Sequence, residues 1–154
     1  MKSAIIQQRL SLKQDNGHRL EFVAEQQGVT YINDSASTNI SQTILSIDGF
    51  DAELVLIIGG NDAKTDYTCF LNIGLQKIRS VIYLGQTPAS LFRIFGKENC
   101  FFVTADSVEE SLQIARSLAK PGQAVLFSPA CPSYEVFDNY KNRGNKFKAL
   151  VLGQ

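Results

Sequence analysis

Three clusters of polar residues that could bind an anion follow three apolar runs of the sequence. The first is N-D-S-A-S-T from Asn33, the second G-G-N-D-A-K from Gly59, and the third S-P-A-C-P-S from Ser128. Hydroxyl groups, backbone N–H groups at helix starts and a lysine together suit a phosphate or a carboxylate. In the first cluster, Asp34 could accept hydrogen bonds from ribose hydroxyls or orient a metal-bound water. Alternatively, it only satisfies backbone N–H groups in its own turn.

The other polar residues also have a simpler explanation. Ser35, Ser37, Thr38 and Asn39 precede a predicted helix, where plain N-capping needs only one of them. Lys64 could bind an anion or simply be solvated, and its loop lacks the G-x-x-x-x-G-K-[ST] spacing of a Walker A loop. From the residues alone, both explanations remain open.

Two further candidates are Arg19, which lies outside these clusters, and Cys131, which lies within the third. Arg19, ahead of the first predicted sheet strand, could bind phosphate or be solvated. Cys131 could act as a nucleophile only with a base, and the single histidine, His18, is remote in sequence. Nothing in the sequence supports such a Cys–His pair.

The elements that must position these residues alternate between strands and helices. Apolar alternation around Gly28 predicts a hairpin of 20–27 and 29–34, and the continuous apolar run 54–60 predicts a strand buried on both faces. Asn39 is the predicted cap of a helix running to Ile47, with Gln42 as its capping-box partner and Ile40, Ile44, Leu45 and Ile47 as its apolar face. The remaining predicted helices cover 66–77, 88–95, 107–119 and 133–151, and the remaining strands 80–85, 100–104 and 124–130.

This order predicts an α/β fold with a mainly parallel sheet and right-handed crossovers. In such sheets ligands bind outside the carboxyl ends of the strands, where all three polar clusters lie. Residues 3–12 carry only a short, weak helical pattern. With 154 residues, the chain is long enough for one domain with its own core.

Composition excludes several classes of function. Fifteen basic and fifteen acidic residues balance, so the sequence predicts neither a nucleic-acid nor a membrane partner. Three widely spaced cysteines argue against a disulfide framework or a zinc site, and there is no signal-peptide pattern or membrane-length apolar run. We therefore expect a soluble cytoplasmic domain.

The order of motifs resembles the C-terminal domain of the Mur ligases. H-R-L-E starts at His18, N-D-S-x-x-T-N at Asn33, G-G-x-x-x-K at Gly59, and the long S-P-A-x-x-S-x-x-x-F-x-N-Y-x-x-R-G-x-x-F at Ser128. The Asn33-Asp34-Ser35 segment favours the D-glutamate-adding branch of the family. The resemblance implies a three-layer Rossmann-like domain over 18–154 with about six strands, preceded by a helix or linker (1–17) from another domain.

The resemblance also implies a reaction and its ligands. Mur ligases of this branch use ATP to phosphorylate the carboxylate of UDP-N-acetylmuramoyl-L-alanine, and D-glutamate attacks the acyl phosphate, in peptidoglycan synthesis. A central domain, lacking here, holds the P-loop and magnesium, and the third domain closes over ATP and excludes water. By this resemblance no metal ligand falls in the chain, and the chain alone is expected to be inactive.

Residue roles follow from the matching motifs. Arg19 and Asp34 correspond to ATP contacts, and Thr38, Ser133 and Tyr140 to residues that hold the incoming amino acid. No residue is assigned a catalytic role.

Two positions depart from the D-glutamate pattern. Ala36 stands where a lysine is usual, and Ala63 stands where a second lysine is usual, with Lys64 beside it. Lys64 is the predicted partner of the substrate's γ-carboxylate. The alternatives are a ligase domain for another amino acid, a Mur-like module that only binds a small molecule, or a structural domain without a ligand.

Overall fold

The computed structural model describes residues 17–60, 66–72, 75–86, 89–95, 100–131 and 139–154. Its strands are β1 (Glu21–Gln26), β2 (Val29–Asn33), β3 (Leu54–Gly59), β4 (Ile78–Leu84), β5 (Phe101–Ala105) and β6 (Ala124–Phe127). Its α-helices are α1 (Ile40–Asp48), α2 (Ala89–Phe95), α3 (Val108–Leu118) and α4 (Tyr140–Leu152). The predicted N-terminal helix or linker lies outside the described residues except for Gly17, so the domain boundary stays a prediction.

The six strands form one sheet in the order β1-β2-β6-β3-β4-β5. β1 is antiparallel to β2, and every other neighbouring pair is parallel. The predicted hairpin is confirmed. Its turn residues Gln27 and Gly28 both have positive φ, 53° and 78°, which matches the twist that two-residue hairpin turns require.

Helices cover both faces of the sheet, as the three-layer expectation requires. Every residue of β3 is buried, and alternate side chains enter two separate cores. Leu56 points into the core under α1 and α2, whereas Ile57 points into the core under α3 and α4. The continuous apolar run at 54–60 is therefore a strand with no solvent-facing side.

Helix α4 is anchored by an aromatic pair. The ring of Phe147 stacks on that of Phe127 in β6, with centroids 4.6 Å apart and both side chains fully buried. Burial of such a side chain stabilises the fold by about 1.5–3 kcal/mol, and aromatic stacking adds about 1 kcal/mol. This contact fixes α4 against the end of β6, beside the third polar cluster.

The cap predicted for α1 is confirmed, with one difference. The Asn39 side chain accepts a hydrogen bond from the Gln42 backbone N–H at 3.0 Å. The Gln42 side chain, however, accepts from the Thr38 N–H at 2.9 Å rather than from the N–H of the cap residue itself. The reciprocal bond of the capping box has thus moved one residue toward the loop.

One residue of the predicted apolar face of α1 is misplaced. Ile40 and Ile47 are buried and Ile44 is partly buried, but Leu45 is 71% exposed. At 3.6 residues per turn, Leu45 lies about 140° around the helix from Ile40, so it cannot share that face.

Two other predicted elements differ from the structure. The single helix predicted over 66–77 is instead 3-10 helix over Tyr67–Asn72 and Leu75–Lys77. Tyr67 and Phe70 are both fully buried, and their spacing of three residues matches one 3-10 turn. The last strand ends at Phe127 rather than 130, because Pro129 has no N–H for a ladder and Ala130 has φ 64°.

The helix predicted over 133–151 is described only from Asn139, which caps α4 by accepting from Asn142 N–H. Residues 132–138 lie outside the described part. Among the described residues, no helix is long and apolar enough to cross a membrane.

Candidate functional site

Asp34 directly follows β2 and is completely buried. Its Oδ1 accepts from the Leu20 N–H at 3.0 Å, and its Oδ2 accepts from the hydroxyls of Ser37 and Ser128, each at 2.6 Å. Three donors compensate for removing a carboxylate from water. The alternative that Asp34 only satisfies backbone N–H groups in its own turn does not describe these contacts, because the one N–H belongs to Leu20 and the other two donors are hydroxyls. Its contact with a nucleotide stays a prediction.

Backbone hydrogen bonds connect the loops around Asp34. Ala36 N–H donates to the His18 carbonyl at 2.9 Å, and Ala130 N–H donates to the Ser37 carbonyl at 3.1 Å. Gly59 N–H donates to the Pro129 carbonyl at 2.8 Å, which brings in the end of β3. The H-R-L-E, N-D-S, G-G and S-P-A motifs consequently meet at the carboxyl edge of the parallel strands.

Arg19 lies in the segment that packs against the Asp34 loop. Its neighbours His18 and Leu20 are both buried and both hydrogen bonded to that loop. Arg19 itself is half-buried, and within the described chain its guanidinium has no hydrogen bond or ion pair. A fixed backbone with an uncommitted guanidinium suits binding of an external phosphate.

The polar side chains of residues 35–39 have different partners. Ser37 donates to Asp34, Ser35 donates to the Tyr140 carbonyl at 2.7 Å, and Asn39 caps α1. The half-buried Thr38 hydroxyl has, within the described part of the chain, only a long 3.5 Å contact with Gln42 Oε1. Thr38 is therefore the member of this cluster whose hydroxyl is most available to a ligand.

Tyr140 opens α4 on the same edge. Its ring lies edge-on to that of His18, with centroids 6.1 Å apart, while its carbonyl holds Ser35. Arg19, Asp34, Thr38 and Tyr140 thus occupy one region of the molecule. The remaining two predicted site residues, Lys64 and Ser133, lie outside the described residues.

Arg143 is a residue of this region that the sequence reasoning did not single out. It is only 2% exposed, and its Nε donates to Ser35 Oγ at 3.0 Å. Its Nη1 donates to the Cys131 carbonyl at 2.9 Å and its Nη2 to the Ser35 carbonyl at 2.8 Å. Burial lowers the pKa of this guanidinium from its ordinary value. The one sequence signal for it is its place in the R-G pair of the final motif.

A second missed cluster surrounds His18. Asn33 Nδ2 lies 2.9 Å from His18 Nδ1 and 2.9 Å from Glu21 Oε2, and Glu21 also pairs with Lys148 at 3.0 Å. Burial lowers the pKa of His18, and Lys148 lowers it further. Burial alone would raise the pKa of Glu21, but its hydrogen bonds with Lys148, Asn33 and the His18 N–H leave that pKa lowered.

Glycine at 144 lets α4 approach this cluster. A Cβ at that position would collide with His18 Nδ1 and lie 3.0 Å from both side-chain amide atoms of Asn33. No group of three His, Cys, Asp or Glu side chains in the described part of the chain could hold a metal ion.

Comparison with known families accounts for the convergence of these motifs. Residues 18–131 match the model of the glutamate ligase domain of Mur ligases. The chain belongs to the Mur ligase family. The match includes the Arg19, Asp34 and Thr38 positions and ends at Cys131, before α4 begins.

Two curated relatives of this Mur ligase domain are named as D-glutamate ligases. It is 36% identical to the UDP-N-acetylmuramoylalanine–D-glutamate ligase of Porphyromonas gingivalis over 99% of this chain and 34% of that protein. It is 41% identical to the ligase of the same name from Pelotomaculum thermopropionicum over 88% of this chain and 30% of that protein. The chain therefore spans about a third of the length of these relatives.

Solved structures with the same fold are also Mur ligases. A domain described as part of a UDP-N-acetylmuramate:L-alanyl-γ-D-glutamyl-meso-diaminopimelate ligase from Haemophilus ducreyi aligns with a TM-score of 0.55 at 17% identity, over 86% of this chain and 99% of that one. A MurF ligase from Thermotoga maritima, in complex with ADP, aligns with a TM-score of 0.53 at 15% identity, over 88% and 31% of the two chains. At these identities the likeness establishes the α/β fold of the Mur ligase domain.

Proposed function

We propose that this Mur ligase domain is the closing lobe of an ATP-dependent ligase that joins D-glutamate to UDP-N-acetylmuramoyl-L-alanine. The observation that carries the proposal is the similarity to D-glutamate ligases over 99% of the chain, at 36% identity. Such a reaction, in the cytoplasm, belongs to peptidoglycan synthesis. ATP phosphorylates the substrate carboxylate, the D-glutamate amine attacks the acyl phosphate, and a peptide bond forms with release of phosphate.

In this proposal Arg19 binds ATP phosphate. Its guanidinium has no partner within the described residues, while the backbone on both sides of it is fixed against the Asp34 loop. Because this backbone is already fixed, only the arginine side chain has to become ordered when its guanidinium binds phosphate bidentately. Asp34 keeps this loop in place through its three donors and also contacts the nucleotide. Oδ1 accepts only one of these bonds and can accept a ribose hydroxyl as well, once the buried carboxylate becomes accessible.

The amino acid would lie on the other side of the same loop. Thr38 contributes a hydroxyl close to the first turn of α1, where free N–H groups favour a carboxylate. Tyr140, at the first turn of α4, provides an aromatic wall. Ser133 and Lys64 complete the pocket in the proposal, with Lys64 as the charged partner of the γ-carboxylate.

The isolated chain would not catalyse this reaction. The P-loop, the magnesium ligands and the UDP-sugar site belong to the other domains of the proposed enzyme. The contribution of this lobe is to bring its amino-acid pocket over ATP and to keep water from a hydrolysable acyl phosphate.

The direct test is product formation by the full-length protein that contains this chain. Phosphate release with ATP, magnesium and UDP-N-acetylmuramoyl-L-alanine should depend on D-glutamate and should produce the conjugate by mass spectrometry. The isolated chain should show neither. Phosphate release without D-glutamate, no conjugate from the full-length protein, or turnover by the isolated chain would each contradict the proposal.

A ligase for a different amino acid is the second candidate. The observation favouring it is Ala36, which lies in the Asp34 loop where the D-glutamate branch usually has lysine. Loss of a charged hydrogen-bond partner costs about 1.5–3 kcal/mol of affinity. A panel of amino acids that gave faster turnover than D-glutamate would support this alternative.

The Lys64→Ala variant tests whether the shifted lysine replaces the missing charge. We expect the KM for D-glutamate to rise by about ten-fold or more, as loss of a charged hydrogen bond predicts. Asp66 and Lys77 flank this region in the described chain, and Lys77 donates to the Phe50 carbonyl away from the site. Lys77→Ala is therefore the control, and an unchanged KM in Lys64→Ala would refute the role of Lys64.

A further inference from the structure

A buried arginine in α4 joins the loop after β2 to the loop after β6. Arg143 is 2% exposed and donates to the Ser35 hydroxyl, the Ser35 carbonyl and the Cys131 carbonyl. Among the described residues, no carboxylate pairs with it. A buried guanidinium is costly to desolvate, so neutral acceptors in good geometry are needed to keep it there.

The acceptors belong to different segments of the chain. Ser35 lies in the loop after β2, Cys131 in the loop after β6, and Arg143 itself in α4. Ser35 also donates to the Tyr140 carbonyl at 2.7 Å, which closes the connection back to α4. The guanidinium therefore joins three elements that no continuous secondary structure connects.

Each of these contacts is close in sequence to a predicted amino-acid contact. Ser35 is three residues before Thr38, Cys131 is two residues before Ser133, and Arg143 is three residues after Tyr140. Asp34 already links the loops after β2 and β6, because it accepts from Ser37 and Ser128 as well as from Leu20. What Arg143 adds is the attachment of both loops to α4, the helix that begins with Tyr140.

Two further details show that these loops are restrained against each other. Ala130, beside Cys131, is held at φ 64°, a conformation that residues with a Cβ adopt only when their surroundings impose it. Its N–H donates to the Ser37 carbonyl, so the two loops lie within hydrogen-bonding distance of each other.

We propose that Arg143 is a positioning residue that sets the geometry of the amino-acid pocket by fixing the loops after β2 and β6 against α4. It acts through Ser35 and Cys131 and does not touch the substrate. Because the pocket belongs to the proposed ligase, this inference rests on the proposed function. A lysine in its place could keep the charge but could not reach three acceptors in a planar fork.

The test uses the full-length protein with Arg143→Lys. We expect the KM for D-glutamate to rise by about ten-fold, since small misplacements of positioning groups have effects of this size or more. The KM for ATP should change by less than about two-fold, within the range of an unperturbed site. An unchanged KM for D-glutamate, or an equal rise in both KM values, would overturn the assignment.

Arg116→Lys is the matched control. Arg116, an exposed residue of α3, also donates to carbonyls of α4, those of Leu150 and Val151 at 3.4 and 3.1 Å. These carbonyls lie at the end of α4 that is remote from Tyr140. This variant loses a comparable arginine–carbonyl contact and should leave both KM values unchanged. If Arg116→Lys shifted the KM for D-glutamate as much as Arg143→Lys did, the effect would be general loosening of α4 and the inference would be wrong.

Ser35→Ala covers the case in which Arg143→Lys does not fold. It removes the hydroxyl that links Nε to the Tyr140 carbonyl and keeps the other two arginine contacts. We expect a smaller rise in the KM for D-glutamate, about three-fold. No selective rise in this variant would contradict the inference.

Hydrogen exchange separates this inference from the proposed function. If wild-type full-length protein had no D-glutamate-dependent turnover, the proposed function would fail, and exchange would still test the loops. Peptides covering 34–38 and 128–131 should exchange about ten-fold faster in Arg143→Lys than in wild type or Arg116→Lys. Unchanged exchange there would overturn the positioning role whatever the activity.

Discussion

At the scale of single residues, the three protein donors of Asp34 predict that its removal lowers stability. Asp34→Asn removes the charge and replaces one acceptor oxygen by an N–H donor, which faces either the Leu20 N–H or the two serine hydroxyls. We expect the free energy of unfolding to fall by about 2–4 kcal/mol, measured by urea denaturation, because hydrogen bonds to a buried charge are involved.

Asp48→Asn is the control for this change. Asp48 is exposed at the end of α1, so its substitution should change the free energy of unfolding by less than about 0.5 kcal/mol. If Asp34→Asn were as mild as Asp48→Asn, the interpretation of Asp34 as the residue joining three loops would be incorrect.

The protonation of His18 gives a pH-dependent prediction. Burial lowers its pKa below the ordinary 6.5, Lys148 and Lys141 of α4 lower it further, and Glu21 of β1 opposes them. As the pH falls, His18 in the unfolded chain is therefore protonated near the ordinary pKa of 6.5, whereas His18 in the folded chain is protonated only at a lower pH. The His18 contribution to stability is complete above that pH and is lost as the pH falls through it toward the folded pKa.

Urea unfolding of wild type and His18→Asn between pH of about 7.5 and 5.5 tests this effect. Wild type should lose stability as the pH decreases, and the variant should lose less. Glu21 acts in a lower window, because its own pKa is lowered from 4.5 and its stabilisation is lost only as the pH falls below that value. Equal slopes for the two proteins in the upper window would contradict the role of His18.

At the scale of elements, the close approach of α4 to β2 depends on Gly144. A Cβ at this position would strike the His18 ring and the Asn33 amide. We expect Gly144→Ala to lower the free energy of unfolding by about 1–3 kcal/mol through overpacking, although alanine favours helix by about 1 kcal/mol.

Gly17→Ala provides the contrast, because a Cβ there has no neighbour within 4 Å and its backbone is not left-handed. Its thermal midpoint should match that of wild type. A stabilised Gly144→Ala variant would show that α4 is not packed as tightly as the structure indicates.

The elements also show what sequence patterns can predict. The buried run of β3, the hairpin at Gly28 and the Asn39 cap depend on neighbours in sequence, and each was predicted. The 3-10 helix at Tyr67–Asn72 was not, because its geometry depends on how two aromatic rings pack under the sheet.

The candidate site divides in the same way. Arg19, Asp34, Thr38 and Tyr140 follow from motifs, and the sheet topology explains why they meet. The burial of Arg143 could not be read from the sequence, since it depends on two loops and a helix that come together only in the fold. The hydrogen bonds to the Asp34 carboxylate could not be predicted either, because two of their donors, Leu20 and Ser128, are far apart along the chain.

At the scale of the whole molecule, the sheet presents one edge with two halves. The segment with Arg19 lies against the start of the loop after β2, where Asp34 is. Thr38 lies near the end of that loop, and the Tyr140 carbonyl of α4 accepts from Ser35 within it. In the proposed ligase the first half serves ATP and the second serves D-glutamate. A lobe organised in this way can carry both ligands into one closed site when it docks on the rest of the enzyme.

The division of this edge is tested most directly by two variants of the full-length protein in one steady-state assay. Thr38→Val should raise the KM for D-glutamate by about ten-fold and leave the KM for ATP unchanged, as loss of a single substrate hydrogen bond predicts. Arg19→Gln should do the reverse. Variants that raise the same KM, or a Thr38→Val enzyme with an unaltered KM for D-glutamate, would contradict the account.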